Sequence, residues 1–136
     1  MQQVVVTGAK GQLGVELLRT RPDGVELTGV DLEDLDICDG EAVRAWMRDR
    51  SPNLIINAAA YTAVDRAESE AGLAHAVNAG GAAHLAVAAR EVGSRLVQIS
   101  TDFVFDGSQG RPYRPDDSPA PLGVYGSSKL AGEIRT

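Results

Sequence analysis

The chain is poor in several residues, and each shortage narrows what it can be. Cys38 is the only cysteine, so no intrachain disulfide can form and a reducing compartment is the default. Basic residues are outnumbered, with 13 Lys and Arg against 19 Asp and Glu, for a net charge of −6. A nucleic-acid backbone or an anionic membrane needs the opposite balance, so neither is expected as the main partner. An anionic small molecule stays admissible, because one turn and one or two cations are enough to hold it. No apolar run approaches the ~20 residues of a membrane span, and no basic segment leads into a signal-like apolar stretch. Histidine is rare: His75 and His84 stand nine positions apart, which is no metal-ligand spacing, and both read as structural. Internal repeats are lacking too. What is left is ordinary, at 43% hydrophobic and 24% charged over 136 residues, enough for one domain with a core. The expectation is a soluble, cytoplasmic domain.

The richest stretch lies at the N-terminus. Val4 to Val6 read as a short buried strand, Gly8, Gly11 and Gly14 follow at three-residue spacing, and Leu13, Leu17 and Leu18 open a helical face. Strand, glycine turn and helix start together form an anion site, where free backbone amides and the helix dipole meet a pyrophosphate. Gly8 serves the tight turn, Gly11 the approach of phosphate and Gly14 the packing of helix on strand. This predicts a dinucleotide site.

The remaining chain alternates. Arg21-Pro-Asp-Gly24 is a turn, and Val25–Val30 a second strand ending in Asp31, 23 positions after Gly8. That is close to the spacing of a carboxylate that bonds an adenosine ribose, which would favour NADH. Lys10 offsets this if it meets a phosphate, so NADPH and NADH both stay open. Gly40–Arg50 reads as a helix with Trp46 as a packing residue, stopped by Ser51-Pro52. Leu54–Asn57 is a third strand, and Ala58 to Ala60 leave room for a flat ligand. Asp65, Glu68 and Glu70 near Arg66 read as a solvated helix start. One long Ala/Gly-rich helix is expected from about Ala71 to Val92, then a fourth strand, Arg95–Ser100. Residues 106–124 turn rich in Gly, Pro, Ser and Asp, the composition of a functional lid or a disordered piece. Apolar strands alternating with helices give an α/β fold, a Rossmann-like doubly wound parallel sheet with its ligand at the C-terminal strand ends.

Tyr125 and Lys129 share a helical face if residues 125–129 are helical. A phenol near pKa ~10 is a poor acid–base group at neutral pH, and a neighbouring ammonium favours its ionised form. Tyr125 can then pass a proton to a carbonyl oxygen while a nicotinamide supplies hydride to the carbon, with the Thr101 hydroxyl bonding the same oxygen.

Four strings carry a resemblance over essentially the whole chain: Thr7-Gly-Ala-Lys-Gly-Gln-Leu-Gly14, Asn57-Ala-Ala-Ala-Tyr-Thr-Ala-Val-Asp65, Ser100-Thr-Asp-Phe-Val-Phe-Asp-Gly107 and Tyr125-Gly-Ser-Ser-Lys-Leu-Ala-Gly-Glu133. The chain resembles the extended short-chain dehydrogenase/reductases, and among them the dTDP-4-dehydrorhamnose reductase family. The resemblance implies reduction of the C4 ketone of dTDP-4-dehydro-6-deoxy-L-mannose by NADPH or NADH, the last step to dTDP-L-rhamnose. By the same resemblance Tyr125 is the proton donor, Lys129 holds the nicotinamide ribose, and Thr101 orients the ketone. Gly8, Gly11, Gln12 and Leu13 would meet the pyrophosphate, Asp31 the adenosine ribose, and Asp36 and Ile37 the adenine. Ala58, Ala59, Ala60 and Thr62 would meet the middle of the cofactor, and Val64 the sugar.

Departures are few. Phe103 stands where the family often has Tyr, Pro115 where it has Glu, and Gly123 where Asn is common. Family members are roughly twice this size, with a separate substrate domain. Residues 1–136 therefore read as an NAD(P)-binding Rossmann domain incomplete at its C-terminus, without the substrate domain. Two other uses of the same motifs are open: a non-catalytic NAD(P)-binding regulatory subunit, and a nucleotide-sugar epimerase or dehydratase. A homodimer is compatible with the sequence. A divalent metal such as Mg has no support from residue spacing; Glu16, on the first helix, reads as part of a solvated face.

Overall fold

The computed structural model describes all residues, 1–136. Four strands, β1 (Gln2–Thr7), β2 (Val25–Val30), β3 (Leu54–Asn57) and β4 (Arg95–Gln98), form one parallel sheet in the order β2-β1-β3-β4. The order reverses at β1, whose neighbours β2 and β3 lie on opposite sides, and a crevice opens there at the C-terminal strand ends. Helices α2 (Gly40–Arg50) and α5 (Ala82–Val92) cover one face, and α1 (Gln12–Arg19) covers the part of the other over β1 and β2. Val5, Val30 and Ile55 point into a core closed by Val43 and Met47 of α2 and Leu85, Ala88 and Ala89 of α5. Full burial of a side chain such as Ile55 contributes ~1.5–3 kcal/mol. On the other face α1 packs Leu18 over Gly29 of β2.

Local chemistry sets the boundaries. Asp39 caps α2 by accepting the Glu41 and Ala42 amides at 3.1 and 3.0 Å. Ser51 closes α2 in the left-handed region, at φ 42°, and Pro52 forbids continuation. Gly93 ends α5 at φ 71°.

Three expectations change. The helix expected from Ala71 to Val92 is α4 (Ala71–His75), a π-helical stretch (Ala76–Gly81) and α5 in succession. Its cause is packing: Asn78 of the π-helical stretch turns inward to bond other elements, and Gly81 lies flat against Ile37. The fourth strand stops at Gln98, two residues before the expected Ser100. The segment following β4 is tied down. A 3-10 turn at Asp102–Val104 opens it. Asp106 then accepts the Ser108 amide and the Tyr113 hydroxyl, Arg111 grips Asp117 in a two-pronged ion pair, and Phe105 stacks on Tyr113 at 4.3 Å. The short helix α3 (Val64–Ala67) precedes α4, and α6 (Val124–Ile134) carries Tyr125 and Lys129.

Candidate dinucleotide and carbonyl site

The glycine turn joins β1 to α1 as expected. Gly8 is left-handed, at φ 68°, and a Cβ there would lie 2.6 Å from the Ala59 nitrogen. It therefore meets both demands, the turn and the close approach to β3. Gly14 differs from expectation: a Cβ there would sit 2.3 Å from the Gly8 carbonyl, so it packs the helix on the turn itself, not on the strand. The amides of Gln12, Leu13 and Gly14 lack chain partners, as the first turn of a helix must, and they open at the crevice. Three free donors at the positive end of a helix suit a pyrophosphate.

Asp31 stands at the end of β2 beside this turn. One carboxylate oxygen accepts the Lys10 amide at 2.8 Å and the other the Leu32 amide at 2.9 Å. These bonds hold its pKa below the usual carboxylate range. Two acceptor sites are thereby used, and a carboxylate has others to offer ribose hydroxyls. The Lys10 ammonium reaches Glu33 at 2.5 Å and is not left free for a phosphate. Glu16 pairs with Arg19.

A cleft of about 990 Å³ runs across the strand ends from the turn. Its walls include every expected cofactor residue from Gly8 to Thr62: Gly8, Lys10, Gly11, Gln12, Leu13, Asp31, Asp36, Ile37, Ala58, Ala59, Ala60 and Thr62. The small side chains and unpartnered amides make a cradle that fits a dinucleotide. A second cavity, about 430 Å³, lies between α3 and α6 and brings Val64, Phe103 and Tyr125 together. Tyr125 meets the Phe103 ring edge-on at 5.5 Å.

Lys129 is buried, and its ammonium donates to the Ile99 carbonyl at 2.7 Å, at the exit of β4. Burial pushes its pKa down. Thr101, two residues beyond Ile99, accepts the Phe103 amide through its hydroxyl oxygen at 3.2 Å and so starts the 3-10 turn. Neither Thr101 nor Lys129 lines the two cavities; they lie at the β4 exit and in the packed side of α6.

Sequence reasoning missed the polar framework around these groups. Thr7 donates to Asn57 at 2.6 Å, and Asn57 to Gln98 at 2.7 Å, so one side-chain ladder crosses β1, β3 and β4 at their C-terminal ends. Asn78 is buried, accepting the Tyr61 amide at 2.8 Å and donating to the Tyr61 carbonyl and the Ser128 hydroxyl. Ser128 in turn donates to the Tyr125 carbonyl at 2.8 Å. The cleft wall and the helix of Tyr125 are thus joined through Asn78. Glu70 takes the Tyr61 hydroxyl and Arg66, and the Tyr61 bond does most to lower its pKa. Glu68 is exposed and also accepts the Val124 amide at 2.8 Å. Trp46 packs against the core under Arg50, as expected of a packing residue, and His84 bonds the Ile37 carbonyl.

Comparison with known proteins bears on the family and the fold. The family described as RmlD substrate binding domain matches residues 1–136. A Streptomyces griseus protein named dTDP-4-dehydrorhamnose reductase is 53% identical over 131 residues, covering 95% of this chain and 43% of that protein. The solved structure of a Clostridium acetobutylicum dTDP-4-dehydrorhamnose reductase superposes with a TM-score of 0.97 at 43% identity, over 98% of this chain and 48% of that one. A Bacillus anthracis dTDP-4-dehydrorhamnose reductase, solved in complex with NADP, gives 0.96 at 43% identity, over 99% and 49%. The chain spans less than half the length of the curated relatives it matches.

Proposed function

The chain belongs to the RmlD substrate binding domain family, and from that premise we propose that it forms the dinucleotide-binding part of an NAD(P)H-dependent reductase. The reaction is reduction of the C4 ketone of dTDP-4-dehydro-6-deoxy-L-mannose to dTDP-L-rhamnose, a precursor of cell-wall polysaccharide. The observation that carries this reading is one of placement: the twelve expected cofactor residues between Gly8 and Thr62 line a single cleft, while Tyr125 and Val64 line a cavity of their own.

In this reading the amides of Gln12 and Leu13 hold the pyrophosphate, and Asp31 holds the adenosine ribose. Asp36 and Ile37 border the adenine, and Ala58 to Thr62 pass beneath the middle of the cofactor. With Lys10 paired to Glu33, a 2′-phosphate would meet Lys10 only after that exposed ion pair opens, and both NADPH and NADH stay admissible. The bound cofactor supplies hydride to the sugar carbon. Tyr125 gives its hydroxyl proton to the ketone oxygen, and the Thr101 hydroxyl bonds that oxygen as charge develops on it. Lys129, whose ammonium donates to the Ile99 carbonyl, would bond the nicotinamide ribose. Val64 and Phe103 present apolar surface to the sugar. The relatives matched are more than twice as long as the part this chain covers. The reading places the enzyme in the cytoplasm and admits a homodimer.

The test follows NADPH oxidation by the full-length gene product on addition of dTDP-4-dehydro-6-deoxy-L-mannose, with Tyr125→Phe in parallel. One cofactor consumed per sugar, with a loss of ~10²–10⁴-fold in the variant, is the expected result for removal of the proton donor. Cofactor that stays bound and unconsumed would return the weight to an epimerase or a regulatory subunit.

A further inference from the structure

The helix that carries Tyr125 is capped from another element. α6 is preceded at its N-cap position by Gly123, which has no side chain to offer the first amides. Its backbone there is extended, at φ −131° and ψ 173°, the geometry from which Ser, Asp or Asn caps a helix. The missing acceptor comes from 56 positions earlier, where Glu68 follows α3 and sets Oε1 2.8 Å from the Val124 nitrogen. A Cβ on residue 123 would lie 2.8 Å from that same oxygen. A local cap and the Glu68 cap therefore compete for one space, and this chain uses the long-range one. The acceptor is also an acid at the positive end of a helix dipole. Its bond ends on the residue before Tyr125, while Val64, four positions before Glu68, shares a cavity with Tyr125. One contact thus ties the Val64 wall to the Tyr125 helix.

We propose that Glu68 is a positioning residue, which fixes the start of α6 and so the place of the Tyr125 hydroxyl in its cavity. The proposal rests on the reductase reading above. In the full-length gene product Glu68→Ala lowers kcat about tenfold and leaves the KM for NADPH within about twofold, an effect of the size of a lost helix cap. In the 136-residue chain the same variant speeds hydrogen exchange at the Val124 amide by about tenfold. Glu68→Gln keeps an acceptor oxygen and holds both readouts near the wild-type values. Gly123→Asn alone holds kcat near the wild-type value, because its Cβ displaces only the flexible end of Glu68 while its own side chain caps the helix, and in the Glu68→Ala background it restores most of the loss.

An acid that acts on the sugar directly would give another pattern. Glu68→Gln would then be as damaging as Glu68→Ala, residue 123 would rescue nothing, and the proposal would be overturned. Unchanged kcat in Glu68→Ala overturns it as well. A wild-type protein that oxidises no NADPH removes the reductase reading and the positioning role with it. The exchange measurement then still reports, separately, whether Glu68 caps α6.

Discussion

At the scale of single residues, Asp31 joins two loops with one carboxylate. It holds the Lys10 amide on one oxygen and the Leu32 amide on the other, so the glycine turn is braced before any ligand arrives. The same bonds depress its pKa, which fixes the sign of its pH dependence. A carboxylate with a lowered folded-state pKa contributes fully above its unfolded value of ~3.9, and the contribution is lost as pH falls through the folded value. On acidification the Lys10 and Leu32 amide resonances should therefore move together with the Asp31 carboxyl carbon, with a midpoint below that of a free aspartate. Asp31→Asn should remove this titration and weaken dinucleotide binding. An unchanged Lys10 amide in that variant would show that the turn needs no such brace.

At the scale of elements, the π-helical stretch is where packing overrides pattern. Asn78 points inward because an extra residue in the turn rotates it toward Tyr61 and Ser128. Asn78→Ala leaves the half-buried Tyr61 amide and carbonyl without their partner, at a cost of about 1–3 kcal/mol in urea unfolding. A change below ~0.5 kcal/mol would mean that the network relaxes freely. This element was not legible in the sequence, since residues 71–92 are mostly Ala and Gly and carry too little periodicity to reveal one inserted position. Other elements were legible because punctuation frames them. Gly24 and Asp31 bound β2, Asp39 and Pro52 bound α2, and the glycine triplet, Asp31 and the alanines converge on one cleft. Glu68 is exposed, as the sequence reading has it, but its bond to Val124 was not legible, because that partner lies 56 residues away. The partner of Lys10 was hidden in the same way, because Glu33 meets it only after β2 has paired with β1.

At the scale of the whole molecule, two cavities meet different fates in the isolated chain. The larger cleft is bounded by the turn, β2 and the segment after β3, all within these residues, so the chain alone should still bind NADPH, weakly. On the reading proposed above, isothermal titration should give a dissociation constant well above that of the longer relatives, and the chain should turn over little or no sugar. Steady NADPH oxidation by the 136 residues would contradict this division of labour. The sheet also shows an asymmetry: α1 shelters the face over β2, but Val97 of β4, in register with Ile56 and Val6 on that same face, is 45% exposed. An apolar margin of this kind leaves net charge as the main barrier to association between copies. The chain's six excess negative charges keep copies apart at neutral pH, and near its isoelectric point of about 4.8 that repulsion vanishes. Light scattering should therefore rise steeply as pH approaches that value, and Val97→Lys, by adding charge to the sticky margin, should delay the onset of turbidity.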